Sequence, residues 1–96
     1  MATYDVAHIR EQGQDMVIVP MNSAFGRLPA HEQEEQIALL QQYSTSAGLR
    51  GTVVPVWDAG GGRMGFRAPR PWHPFFRNLD LATVAASINK RLTCHN

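Results

Sequence analysis

Residues 52–66 read TVVPVWDAGGGRMGF, and the fold class turns on this stretch. Thr52-Val53-Val54-Pro55-Val56-Trp57 is β-branched and aromatic, the composition that strands favour. Asp58-Ala59-Gly60-Gly61-Gly62 interrupts it with consecutive glycines, which supply the positive φ angles of a chain reversal. Arg63-Met64-Gly65-Phe66 then resumes extended chain. Met64 and Phe66 fall on one face, Arg63 and Gly65 on the other. The stretch predicts a hairpin. Proline has no N–H to offer a neighbouring strand, so Pro55 predicts an edge strand or a bulge. Its partner, Arg63–Arg67, then takes the more central place.

Working outward, Met16-Val17-Ile18-Val19-Pro20-Met21 is a short, continuous, mostly β-branched run. It predicts a strand buried on both faces, again with a proline that suits an edge. Between the two strands, Pro29 opens a helix over Ala30–Ala47. Ile37, Leu40, Tyr43 and Ala47 recur at helical spacing, with Leu39 beside them. Glu32, Glu34 and Glu35 sit where the helix dipole favours negative charge, and Gly48 is placed to stop the helix. Upstream, Thr3 can cap a helix over Tyr4–Gln12, with Val6 and Ile9 as its apolar stripe and Gly13 as its stop. Downstream, Asp80 reads as the N-cap of a helix carrying Leu81, Val84, Ala85, Ile88 and Leu92 at helical spacing.

The element order is therefore α-β-α-β-β-α, an α+β domain over residues 1–96 with no visible linker or repeat. A right-handed crossover makes the first two strands parallel. With both prolines assigned to edges, the third strand fits between them. The expected sheet has three strands in the order 1-3-2, a split βαβ arrangement, with helices packed mainly on one face. The other face then lacks a complete cover, which predicts a homodimer.

No motif in the chain specifies a reaction, a cofactor or a metal. The four histidines, His8, His31, His73 and His95, show no ligand spacing, and the lone Cys94 adds nothing. One cysteine excludes an internal disulfide framework and fits a reducing, cytoplasmic setting. The longest apolar run is far too short to span a membrane, and residues 1–12 lack the apolar core of a signal peptide. The triple glycine is neither a phosphate-binding loop, which needs a following Lys-Ser/Thr, nor a dinucleotide fingerprint, which sits between a strand and a helix.

Parallel first and second strands place Asn22–Arg27 and Trp57–Gly62 at one end of the sheet, where open sheets bind ligands. That end gathers Asn22, Ser23, Arg27, Trp57, Asp58 and Arg63, and the glycine amides with the arginines could form an anion nest. The plain alternative is a hairpin turn with a structural tryptophan. A small enzyme with Asn22, Asp58 and Arg63 at its site is a further reading of the same end.

Charge is unevenly spread. Residues 1–49 hold two arginines against six carboxylates, and residues 50–96 hold seven basic side chains against two aspartates. Arg67, Arg70, Trp72 and His73 form a second candidate, an interaction surface for a protein partner or, with Arg63 and Arg77 on phosphates, for nucleic acid. Near-neutral overall charge argues against nucleic acid. The leading expectation is a small non-enzymatic, dimeric protein that binds a macromolecule or a small ligand.

VVPVWDAGGGRMGFRAPRPWHPFF, with VIVPMNSAFG before it, resembles small proteins encoded on bacterial integron gene cassettes. The resemblance covers most of the chain. It implies a bacterial cytosolic protein from the mobile gene pool, and it implies no activity and no site residues.

Overall fold

A computed structural model describes residues 2–94; His95, one of the scattered histidines, lies outside the described residues. The chain forms β1 (Ala2–Glu11), β2 (Gln14–Pro20), a 3₁₀ turn (Ser23–Arg27), α1 (Ala30–Ser46), β3 (Thr52–Gly60) and β4 (Arg63–Phe66). A second 3₁₀ turn (Arg70–Trp72), α2 (His73–Arg77), α3 (Leu81–Ser87) and β5 (Lys90–Cys94) follow. The α+β class holds. The sheet has five strands, in the order β4-β3-β2-β1-β5, where three were expected.

The N-terminal helix expected over Tyr4–Gln12 is instead β1. Tyr4 and Val6 pack on one face of the sheet and Ala7 and Ile9 on the other. Gln12 and Gly13 both take positive φ and turn β1 into β2, with Glu11 opposite Gln14. That is the geometry of a two-residue hairpin, and Gly13 stops no helix. The last helix also ends early. Ile88 is extended, Asn89 follows, and Leu92 lies in β5, antiparallel to β1. The Asn89 side chain accepts from the His8 N–H and donates to the His8 carbonyl, each at 2.8 Å, mimicking one more rung of that pairing.

The expected strand order fails for a local reason. β2 pairs directly with β3 in parallel, Val19 opposite Pro55, and β4 folds back along the outer side of β3. Both prolines therefore lie in interior strands. The Pro55 carbonyl accepts from the Arg67 N–H at 3.2 Å, so its ring nitrogen faces the same side, just past the last residue of β4. Pro20 follows the same logic. Met21 N–H donates to Val56 at 2.7 Å, so the Pro20 nitrogen faces β1, whose pairing with β2 has already stopped at Ala7 and Ile18. Each missing donor points where the regular pairing with the neighbouring strand has stopped.

The helices cover both faces, which corrects the one-sided arrangement. Val6, Val17, Val19, Val53 and Leu92 pack against Leu40 of α1. Ala7, Met16, Ile18, Val54 and Val56 pack against Phe76 of α2 and Val84 of α3. The open sheet face on which the expectation of a dimer rested is filled by α2 and α3. Of the described residues, Leu39 is the one large apolar side chain that is strongly exposed, at 49 %. No helix among them is long and apolar enough to cross a membrane.

Candidate functional site

The carboxyl ends of β2 and β3 do lie side by side, as the parallel pairing requires. Between the loops that leave them is a recess of about 350 Å³, lined by Ser23, Gly26, Arg27, Trp57, Asp58, Ala59 and Gly60. Four of the six expected ligand-end residues, Ser23, Arg27, Trp57 and Asp58, share this recess. Asn22 lines a separate hollow with Tyr4, Pro20 and Phe25. Arg63 lines a broader groove of about 790 Å³ between β4 and the α2–α3 connection, over Met64, Phe66 and Phe76. Asp58 borders both spaces. Asn22, Asp58 and Arg63, grouped in the enzyme reading, do not converge on one space.

Trp57 forms the wall of the recess, and its seat is made by two glycines. A Cβ added at Gly26, in the first 3₁₀ turn, or at Gly65, in β4, would overlap the indole ring. Phe25 packs at a tilt, 5.2 Å between ring centroids. Gly65 was expected on the face opposite Met64 and Phe66. Its value there is the absence of a side chain, which lets the indole lie directly on β4. Gly26 was not singled out, and a lone glycine in a loop carries no signal of what leans on it.

The triple glycine does what a hairpin needs. Gly61 and Gly62 both have positive φ, at 60° and 74°, and Gly60 pairs with Arg63 across the turn. Ala59 is the extra residue of a bulge between Asp58 and Gly60. The Gly60 amide is already occupied, since it donates to Asp58 Oδ1 at 2.8 Å. An anion nest would need that amide free and no carboxylate beside it, so the glycines favour the plain hairpin reading.

The side chains around the recess are a different matter. Arg27 is exposed, and neither it nor the Ser23 hydroxyl nor the Trp57 indole N–H has a hydrogen bond or ion pair to another described residue. Arg27 and Asp58 border the same space without forming an ion pair with each other.

The second candidate surface is largely structural. Arg67 donates to the Gln33 side chain at 3.1 Å and pairs with Glu34 at 3.5 Å, tying the end of β4 to α1. His73 Nε2 donates to the Ala68 carbonyl at 2.9 Å, and the imidazole stands edge-on to Phe66. Trp72 is half-buried against the α2–α3 core. Arg70 alone of the four is exposed. Phe76 plugs the core.

Asp80 accepts from the Thr83 N–H at 2.7 Å and caps α3 as expected. Hydrogen bonding by Thr83, through its hydroxyl first and its N–H second, holds the Asp80 carboxyl below its ordinary range. That is a capping effect at an exposed helix end and not a sign of chemistry. Among the described residues no three His, Cys, Asp or Glu side chains cluster as metal ligands would.

No protein-family model matches the chain, and no curated protein or solved structure matches it significantly.

Proposed function

We propose that this chain is a small binding protein whose ligand site is the recess at the carboxyl ends of β2 and β3. The observation that carries the reading is that Ser23, Arg27, Trp57 and Asp58, from the two loops, line one space, with the Ser23 hydroxyl and the Arg27 guanidinium unpartnered among the described residues. Gln33 and Arg67 spend their polar groups on the fold, whereas Ser23 and Arg27, both exposed, are open to solvent and to a ligand. Trp57 supplies the apolar wall that small-ligand sites combine with a few placed polar groups, and the recess lies within the usual size range of such sites, about 300–1,000 Å³.

The fold favours this end for a second reason. Parallel neighbours send both loops off the same edge of the sheet, so side chains distant in sequence meet without any special device. The larger groove beside β4 has a less selective character. Its floor is the exposed side of core residues, and Asp80 on its rim is occupied by the α3 cap.

The test uses the two tryptophan side chains, which give two indole N–H signals in a ¹H–¹⁵N correlation spectrum; Trp57→Phe assigns one of them. A panel of small polar compounds should include members that shift the Trp57 indole and the Gly60 amide saturably while sparing the Trp72 indole. Arg27→Ala should weaken those shifts. A panel that moves neither signal would remove the recess as the ligand site.

A further inference from the structure

We infer that the ligand of this recess is a small zwitterion, of the type of a free α-amino acid, with its carboxylate on Arg27 and its ammonium on Asp58. This rests on the recess being the ligand site. Arg27 and Asp58 carry opposite charges, line one space of about 350 Å³ and do not pair. Two opposite charges that line one recess without pairing give it a positive and a negative side. An anion would gain from Arg27 and be opposed by Asp58, and a cation would meet the reverse. A compound carrying both charges on adjacent groups satisfies both.

The donor geometry agrees. The guanidinium fork matches a carboxylate through two parallel N–H bonds, and Ser23 can add a hydroxyl on the same side. Asp58 gives Oδ1 to the Gly60 amide, which fixes the carboxylate's orientation and leaves Oδ2 for an ammonium. Trp57 lines the same space. An ammonium near an indole face gains a cation–π attraction, and an apolar side chain gains contact area. Because Gly26, Gly65 and Phe25 hold the indole, the wall is in place before any ligand arrives.

The experiment is a titration of the intact chain followed at the Trp57 indole and Gly60 amide signals. Glycine, L-serine and L-phenylalanine are the zwitterions; acetate and methylammonium are their charged halves. The expected result is saturable binding of at least one amino acid, roughly tenfold or more tighter than either half. Asp58→Asn keeps an acceptor for the Gly60 amide, so the turn persists. It should lower amino-acid affinity about tenfold and raise that of acetate, a change of preference that unfolding cannot produce. Saturable binding of acetate or methylammonium with no preference for the amino acids overturns the inference and leaves the recess as a ligand site. Silence of both signals to these five compounds overturns it too, and if the broader panel is also silent the recess reading falls with it.

Discussion

Gln33 and Arg67 meet side chain to side chain, with the guanidinium donating to the amide oxygen at 3.1 Å. The same glutamine donates from Nε2 to the Phe25 and Leu28 carbonyls, at 3.0 and 3.2 Å. One buried residue of α1 thus fixes the 3₁₀ turn that carries Arg27 and anchors the end of β4. Gln33→Leu fills the volume but takes its donor from the Leu28 carbonyl, while the Phe25 carbonyl keeps the Leu28 N–H and Arg67 keeps Glu34. An unsatisfied buried polar group costs about 1–3 kcal/mol, so the variant should lose roughly that much stability. Urea denaturation reads the loss. A stability unchanged within a few tenths of a kcal/mol would mean that water satisfies these groups as well as Gln33 does.

The seat of Trp57 gives a second prediction. Gly65→Ala puts a methyl group into the indole, on a β4 backbone that cannot retreat from β3 without breaking its rungs. Overpacking of this kind costs about 1–3 kcal/mol. The Trp57 indole signal should move and that of Trp72 should stay. Gly65→Ala combined with Trp57→Ala removes the clash, so the double variant should be less destabilised than the two single losses added together.

Asp80 sets a pH dependence. Its pKa in the folded chain lies below the ordinary value of 3.8 that the unfolded chain would show. The unfolded state therefore binds the proton first as pH falls, and the capping contribution is fully present only above the unfolded pKa. It is lost progressively as pH drops through 3.8 toward the folded value. Asp80→Asn keeps an N-cap acceptor but cannot titrate, so the difference between wild type and variant should shrink on going from neutral pH to pH 3. A difference that is flat over that range would mean the cap does not depend on charge.

Asn89 closes the β1–β5 pairing by bonding both backbone groups of His8. Asn89→Ala should cost about 1 kcal/mol, the net worth of a typical hydrogen bond, since the site is exposed and water can replace part of what is lost. Hydrogen exchange should be the sharper reading. The His8 amide should lose protection while Ile18, deeper in the sheet, keeps its own.

Which of these features the sequence discloses depends on how many partners each needs. The hairpin at Asp58–Arg63, α1, the Asp80 cap and the parallel β2–β3 pair are legible because local chemistry or a single crossover decides them. The same crossover brings Ser23 and Arg27 to Trp57 and Asp58. The first strand was misread because Val6 and Ile9, three residues apart, imitate a helical stripe. In the sheet they lie on opposite faces, Val6 buried and Ile9 partly buried, and a strand covered on two sides has no clean alternation to betray it. Leu92 imitates the next turn of α3 for the same reason of spacing. The prolines misled more deeply. Whether a missing N–H matters depends on whether the neighbouring strand is still paired at that point, and where a pairing stops cannot be read from Pro20 or Pro55 themselves.

β1 is shared between two neighbours. Residues 7–11 pair with β2, a few residues on, whereas residues 2–6 pair with residues 90–94. The strand is therefore assembled in two instalments separated by nearly all of the synthesis of the domain. A nascent chain halted after β2 and before residue 90 would hold a β1–β2 hairpin whose first half, residues 2–6, still lacks its β5 neighbour. Pairings this distant in sequence are slow to close. On the ribosome that half-strand is the last part of the sheet to gain its neighbour.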